Sequence, residues 1–96
     1  MSASLSTHVL DTAAGAPAVG VKVELLRDDE PLAQAETDAD GRARLADDLP
    51  PATYRLVFHP PSAFFRRVEL AIELVDGHYH VPLLVAPFSC ASYRGS

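Results

Sequence analysis

An all-β fold, a sandwich of two antiparallel sheets with little or no helix, is what this sequence predicts. Three observations lead to that fold class. Apolar and polar residues alternate with a period of two in several runs, these runs are rich in β-branched side chains, and glycine- and proline-containing turns separate them at short intervals. Roughly seven to eight short strands at such spacing are typical of a β-sandwich. The 96 residues, 1–96, are expected to form a single domain.

The alternation places the strands along the chain. In residues 19–25 every second residue is valine or leucine, and in residues 54–58 every second residue is aromatic or leucine. Residues 68–74 carry an aliphatic side chain at every second position, which again fits a half-buried strand better than a helix. The predicted strands are residues 5–11, 19–27, 31–37, 42–46, 53–59, 66–75, 78–86 and 88–93.

Turn-forming residues lie between these strands. Gly15 and the following Ala-Pro pair interrupt the chain after the first strand. Gly41 closes a turn that begins at Asp38, at a position where glycine can adopt a positive φ. Proline pairs at 50–51 and 60–61 separate further strands, and the Asp-Gly pair at 76–77 is typical of a hairpin.

Charge and cysteine content restrict the partners and the compartment. Eight basic against thirteen acidic residues give a net charge of −5, a sign that repels nucleic acid and anionic membranes. The first residues show no apolar targeting segment, and no run approaches the ~18 apolar residues of a membrane-spanning helix. Because Cys90 is the only cysteine, no internal disulfide can form, and we expect a cytoplasmic protein.

Residues 81–88 (VPLLVAPF) depart from the alternation, because they are apolar on both faces of the predicted strand. Pro82 cannot donate a hydrogen bond to a sheet, which favours an edge, a strand start or a bulge. An edge strand with two apolar faces needs a cover. The run is therefore either buried within one subunit or part of a subunit interface, and the thin core of so small a domain favours the interface.

Residues that could carry chemistry concentrate near the two ends of the chain. His8 lies in the first predicted strand, His78 and His80 share one face of the seventh, and Arg42 follows the turn glycine. The three histidines could bind zinc. No carboxylate is linked to them in sequence as a supporting partner, however, and we predict that no metal is bound. His59, at a strand end, and His78 are expected to matter less than His80.

Four segments of the chain resemble the 5-hydroxyisourate hydrolases of the transthyretin-like family. They are residues 5–12 (LSTHVLDT) followed by Gly15-x-Pro17-Ala18, residues 37–42 (TDADGR), residues 78–84 (HYHVPLL) and residues 93–96 (YRGS). Their order is that of the family, and together they reach both ends of the chain. The Tyr-Arg-Gly-Ser ending is the most specific of the four, because the related hormone-carrying transthyretins end differently.

The resemblance implies a transthyretin/prealbumin-like sandwich that hydrolyses 5-hydroxyisourate to 2-oxo-4-hydroxy-4-carboxy-5-ureidoimidazoline in urate breakdown, without a cofactor. It implies a homotetramer, a dimer of dimers, with the sites between dimers. His80 and His8 would activate water and return a proton, while Arg42 would hold the substrate and stabilise negative charge. The catalytic residues implied are His8, Arg42, His80 and Ser96, and those implied for substrate binding are Arg42, Tyr93, Arg94, Gly95 and Ser96.

The chain also departs from the family pattern at two places. Residues 59–65 leave no room for the helix that usually follows the fifth strand, and Ser89-Cys90 replaces a more usual Gly-Tyr pair. Two non-catalytic functions are compatible with the same fold, namely a ligand carrier of transthyretin type and a structural module similar to carboxypeptidase-regulatory-type domains. Neither explains His8, His80 and the terminal segment together.

Overall fold

Nine strands make up the fold in the computed structural model, which describes residues 1–95. The strands are β1 (Ala3–Asp11), β2 (Ala16–Pro17), β3 (Lys22–Arg27), β4 (Glu30–Glu36), β5 (Arg42–Leu49), β6 (Ala52–His59), β7 (Val68–Leu74), β8 (Gly77–Ala86) and β9 (Ser89–Ser92). Residues 1–95 contain no helix, so the all-β prediction is confirmed, and nothing in this part of the chain forms a helix able to span a membrane.

The strands form two sheets, as the sequence predicted. The first, sheet A, has five strands: β2, β1, β8 and β9 lie in that order, and β5 also pairs with β1. The second, sheet B, has four strands in the order β4, β3, β6 and β7, all antiparallel to their neighbours. Sheet A differs from the prediction in one respect, since β1 and β8 run parallel over nine residue pairs, from Ala3 with Gly77 to Asp11 with Val85.

Each predicted strand overlaps an observed one, and the ends differ for local reasons. The strand predicted from residue 19 begins at Lys22, because Gly20 has a φ of +75° and Val19 is 65% exposed. Thr37 holds this loop, since its buried hydroxyl accepts from the Val21 N–H at 2.9 Å and donates to the Ala18 carbonyl at 2.7 Å. The two-residue strand β2 had no alternation long enough to reveal it.

The core lies between the two sheets, and both contribute to it. Leu5, Val9 and Leu83 of sheet A and Leu25, Leu56 and Phe58 of sheet B are no more than 1% exposed. These residues alternate along their strands with outward-facing ones, which is the reason the period of two predicted the strands correctly. Tyr54 is buried with them and donates from its hydroxyl to the Pro50 carbonyl at 2.6 Å.

Residues 81–88 contribute side chains to both faces of sheet A. Val81, Leu83 and Val85 point into the core, whereas Leu84 and Ala86 lie half-buried on the outer face of sheet A. Phe88, in the turn after β8, is 78% exposed. The segment between β6 and β7 contains no helix; it is tied by the Ser62 hydroxyl, which accepts from the Phe65 N–H at 2.9 Å.

Gly41 fixes the position at which β5 joins β1. Its φ is +75°, its carbonyl accepts from the Val9 N–H at 2.8 Å, and an added Cβ would lie 2.6 Å from the Val9 carbonyl oxygen. A side chain at this position therefore meets both a strained backbone and a collision with β1. The glycine that the sequence assigned to a turn is also a packing requirement of sheet A.

A pair of glycine substitutions separates these two effects. Gly20 has the same φ of +75° but open space around its Cα, so Gly20→Ala should cost only the conformational strain, about 1–2 kcal/mol. Gly41→Ala should lower the free energy of unfolding by a further ~1–3 kcal/mol, because the methyl group overpacks the contact with β1. Urea denaturation at one fixed protein concentration measures both losses. Equal losses would contradict the packing role of Gly41.

Candidate active site

The outer face of sheet A carries the polar residues that the sequence singled out. Along β1 the side chains of Leu5, Thr7 and Val9 are buried, so Ser6 and His8 point away from the core. In β8 the buried Val81 sets the same alternation and turns His80 outward. Because β1 and β8 run parallel in register, Ser6 lies opposite His80.

The pairing of β1 with its two neighbours brings the predicted residues together. His8 is the partner of Arg42 in the antiparallel pairing of β1 with β5. The rings of His8 and His80 lie with their centroids 6.4 Å apart and their planes tilted by 40°. Arg42 and His80 line one cleft of about 660 Å³, together with Ser6, Asp38, Arg44 and His78. The structure thus places two histidines and a guanidinium on one sheet face.

Arg42 is held by the turn that precedes β5. The Asp38 carboxylate accepts from the Arg42 N–H at 3.0 Å and from the Asp40 N–H at 2.9 Å, and these hydrogen bonds lower the pKa of Asp38. The Asp38 N–H donates in turn to the Arg42 carbonyl at 2.9 Å. The TDADGR segment therefore builds a closed turn that delivers the Arg42 side chain beside His8.

The C-terminal segment reaches His80 through Gly95. The Gly95 N–H donates to the His80 carbonyl at 2.7 Å, forming an isolated bridge between the two residues. An added Cβ on Gly95 would lie 2.9 Å from the Cδ2 atom of the His80 ring, so only glycine lets this segment lie so close to the imidazole. Ser96, predicted as a catalytic residue, lies outside the described residues.

Tyr93 and Arg94, predicted to bind substrate, lie elsewhere. The Arg94 guanidinium stacks over the Tyr79 ring, with its Cζ atom 4.2 Å from the ring centroid. Tyr93 is 56% exposed, and both residues line a groove of about 580 Å³ beside β7. The structure does not bring the Arg94 side chain to the histidines, because Tyr79 precedes His80 in β8 and points to the opposite face.

The surroundings of His80 favour its neutral form. Burial lowers the pKa of His80 below its ordinary value, and the positive charge of Arg42, followed by His8 and His78, lowers it further. A neutral imidazole accepts a proton at one ring nitrogen and donates from the other. At neutral pH His80 is therefore suited to act as a base.

Three hydrogen bonds link His80 to residues that the sequence reasoning did not assign to the site. The Ser6 hydroxyl lies 2.8 Å from His80 Nδ1 and 2.9 Å from His78 Nε2, and the Ser4 hydroxyl lies 2.6 Å from His78 Nδ1. The alternation of β1 in the sequence already indicates that Ser4 and Ser6 lie on the same face of the strand as His8. Their proximity to the two histidines of β8 could not be predicted without the pairing of β1 with β8.

The remaining candidates lie apart from this cluster. His59 is on the outer face of sheet B, where its Nε2 atom lies 2.6 Å from the Glu24 carboxylate and its hydrogen bond lowers the pKa of Glu24. Burial raises the pKa of the Cys90 thiol, which disfavours the nucleophilic thiolate. Within residues 1–95, no group of three His, Cys, Asp or Glu side chains is arranged to hold a metal ion.

Comparisons with known proteins converge on one family. A family profile described as "HIUase/Transthyretin family" matches residues 5–95. The 5-hydroxyisourate hydrolase of Caulobacter vibrioides is 42% identical, over 96% of this chain and 97% of its own. The protein of that name from Pseudomonas aeruginosa is 40% identical, over 96% of this chain and 90% of its own.

Solved structures give the same picture. The structure of Klebsiella pneumoniae 5-hydroxyisourate hydrolase superposes with a TM-score of 0.90 and is 38% identical, over 97% of this chain and 99% of its own. The transthyretin of Sparus aurata superposes with a TM-score of 0.82 at 25% identity, over 95% of each chain. The fold is thus similar to that of both proteins, and the sequence is nearer to the hydrolase.

The contribution of Arg42 to the lowered pKa of His80 can be tested by replacing two arginines of the cleft, one in each variant. Arg42→Gln should raise the pKa of His80 without restoring the ordinary value of about 6.5, because burial is the larger cause and remains. Arg44→Gln is the matched control, since Arg44 lines the same cleft but pairs with Asp47. NMR titration of the His80 imidazole measures both. An unchanged pKa in Arg42→Gln, or equal shifts in both variants, would contradict this account.

Proposed function

This chain belongs to the HIUase/Transthyretin family, and from that membership we propose that it is a 5-hydroxyisourate hydrolase. The enzyme opens the lactam of 5-hydroxyisourate with water and releases 2-oxo-4-hydroxy-4-carboxy-5-ureidoimidazoline, a step of urate breakdown. One observation carries the proposal beyond the family name: His80 and Arg42, from sequence-distant strands, line one cleft with His8 beside them. Residues 1–96 act as one transthyretin-like domain.

The reaction needs a base, because water is a poor nucleophile at neutral pH. A positioned base contributes about 10²–10⁴-fold to such a step. His80 supplies it, and its lowered pKa keeps the imidazole neutral as the pH falls through the ordinary value of about 6.5. The base form is lost only at lower pH. His8, whose ring lies beside that of His80, helps to place the water and to return a proton to the departing nitrogen.

Arg42 acts on the charge that develops during the attack. Addition of water to the carbonyl makes a tetrahedral oxyanion, and a guanidinium stabilises such a charge while holding a planar substrate by paired hydrogen bonds. The turn from Asp38 fixes the Arg42 backbone, so the side chain extends from a set position in the strand, opposite His8. A cation in this place does not suit the binding of an apolar ligand. It therefore favours the hydrolase over a ligand carrier of transthyretin type.

The terminal segment completes the substrate side of the site in this proposal. Gly95 lets the chain approach His80, and Ser96, the next residue in the sequence, supplies a hydroxyl for binding or for orienting water. Arg94 contributes by anchoring, because its stacking on Tyr79 holds the segment in place. Substrate binding by this segment therefore depends on the contact between Arg94 and Tyr79, which lies on the opposite face of the sheet from His80.

The same family membership supports a homotetramer, a dimer of dimers, in the cytoplasm. The outer face of sheet A continues from the histidines to Leu10, Leu84 and Ala86, which are half-buried in the single chain. Nearby, Phe88 is 78% exposed. A second pair of chains covering this face would bury the apolar surface and enclose the cleft. A single cysteine without a disulfide partner suits a reducing compartment.

The first test of this function is an ultraviolet assay on 5-hydroxyisourate freshly generated by urate oxidase. The chain should accelerate the loss of substrate beyond its spontaneous decay, also after treatment with a chelator. His80→Ala and Arg42→Ala should each lower kcat/KM by about two orders of magnitude, since each removes a transition-state interaction.

His59→Ala is the matched control for this assay. It removes a histidine from the other sheet, where the side chain pairs with Glu24, and should leave kcat/KM nearly unchanged. Activity that disappears with chelator and returns with zinc would replace the proposed proton transfer by metal catalysis. A loss in His59→Ala as large as in His80→Ala would show that the site is assigned wrongly.

Oligomeric state tests the proposed assembly separately. Light scattering should give a mass of about four chains, because closed symmetric assemblies cover such faces. Leu84→Glu places a charge on the outer face of sheet A and should reduce the mass to that of a dimer, while Leu32→Glu on sheet B should leave the tetramer intact. A monomeric wild-type protein at micromolar concentration would refute the assembly.

A further inference from the structure

Four side chains on the outer face of sheet A form one continuous hydrogen-bonded chain. It runs from His80 through Ser6 and His78 to Ser4, with donor–acceptor distances of 2.8, 2.9 and 2.6 Å. The two serines come from β1 and the two histidines from β8, at paired positions of the parallel ladder. His80 is half-buried and His78 is exposed, so the chain leads from the cleft towards solvent.

When each ring carries one proton and the Ser6 hydroxyl donates to one of the two rings, two proton arrangements use all three hydrogen bonds. In the first, His80 donates from Nδ1–H to Ser6, Ser6 donates to His78 Nε2, and His78 donates from Nδ1–H to Ser4. This arrangement leaves His80 Nε2 without a proton, as a base requires. In the second, every hydroxyl and ring reverses its role, and His80 Nε2 carries a proton, as an acid requires.

We propose that Ser6 and His78 are positioning residues that relay the proton of the reaction between His80 and solvent at Ser4. When water attacks, its proton binds to His80 Nε2 and the His80 Nδ1 proton passes to Ser6. The Ser6 proton passes to His78 Nε2, the His78 Nδ1 proton passes to Ser4, and the Ser4 hydroxyl proton leaves to solvent. The inference rests on the proposed hydrolase function and revises the expectation that His78 contributes little.

Running in reverse, the same chain completes the reaction. Ser4 takes one proton from solvent, the transfers occur in the opposite direction, and His80 Nε2 gives its proton to the departing ring nitrogen. One proton leaves and one returns, so the net reaction consumes only the water that is added to the substrate. Each side chain of the relay ends in its starting state.

The charges around His80 explain what the relay achieves. His80 faces Arg42 of β5 and His8 of β1, and His78 is the next histidine along the hydrogen-bonded chain. Asp47, which lies near His78, is paired with Arg44. Burial and, after it, the charge of Arg42 lower the pKa of His80, so an imidazolium is unfavourable at this position. The relay lets His80 accept a proton at Nε2 while losing one at Nδ1, so that it stays neutral throughout.

The register of the relay is fixed from the buried side of the sheet. Between Ser6 and His8 in β1, the buried Thr7 hydroxyl donates to the Val81 carbonyl at 2.6 Å. This bond ties β1 to β8 at the residue next to His80, and a slip of the ladder would break it. The serine and histidine rows therefore stay within hydrogen-bonding distance without any loop to position them.

NMR of labelled protein tests the hydrogen bonds without reference to activity. In the wild type, both His80 and His78 should be protonated at Nδ1 in the resting state. Ser6→Ala should abolish this preference at His80, and Ser6→Thr, which keeps a hydroxyl on a residue suited to strands, should restore it. A wild-type His80 protonated at Nε2 would overturn the proposed resting arrangement.

Kinetics of the same variants test the relay itself. Ser6→Ala should lower kcat about tenfold, a part of the acid–base contribution, with little change in KM. Its proton inventory in mixtures of H₂O and D₂O should become linear, whereas that of the wild type and of Ser6→Thr should be curved, as several protons move together. Ser89→Ala, at an exposed serine of β9, is the matched control and should keep the wild-type kcat.

The outcomes separate the relay from the function on which it rests. An active wild type whose Ser6→Ala variant, with unchanged melting temperature, retains full kcat and a curved inventory would overturn the relay alone. A wild type without activity on 5-hydroxyisourate would overturn the proposed function together with the catalytic role of the relay. Loss of kcat in Ser6→Ala without rescue by Ser6→Thr would show that the hydroxyl is not the group that matters.

Discussion

The parallel pairing of β1 with β8 is the constraint on which the rest of this structure depends. It joins segments near the two ends of the chain, with Ser6 opposite His80 and Val9 opposite Leu83, and leaves the other edge of β1 to β5 and β2. A slip by one residue would turn the buried leucines and valines outward and the histidines inward. Burial of Leu5, Val9 and Leu83 therefore stabilises the register that also assembles the proposed site.

Because the proposed site lies on paired strands, the backbone positions of its residues are set before any substrate arrives. Ser6, His8 and His80 occupy the centre of sheet A, and Arg42 is held by a turn whose glycine has no space for a side chain. Groups fixed in this way need little reorganisation when charge develops, which is the property that electrostatic catalysis requires. The terminal segment lies against His80 at Gly95, whose missing side chain makes room for the His80 ring.

The strands could be predicted from the sequence because alternation is a local signal. Buried residues at every second position marked β6 and β7 to within one or two residues, and the four family-like segments pointed to His8, Arg42 and His80. What could not be predicted depends on contacts between distant residues. Ser6 and His80 are 74 positions apart, and no local pattern states that β1 and β8 run parallel. The same reason hid the position of Arg94, whose partner Tyr79 lies on the opposite face from His80.

In the proposed mechanism, the positive charge of Arg42 opposes the protonation of the base, His80. In that mechanism Arg42 lies close to the developing oxyanion, and its charge adds to burial in disfavouring a positive charge on His80. A lone histidine in this place would be a weaker base, because its protonated form is disfavoured there. The proposed relay from Ser6 through His78 avoids this conflict, because a proton that leaves Nδ1 while another arrives at Nε2 adds no charge. In this proposal Ser6 lets His80 act as a base close to the positive charge of Arg42.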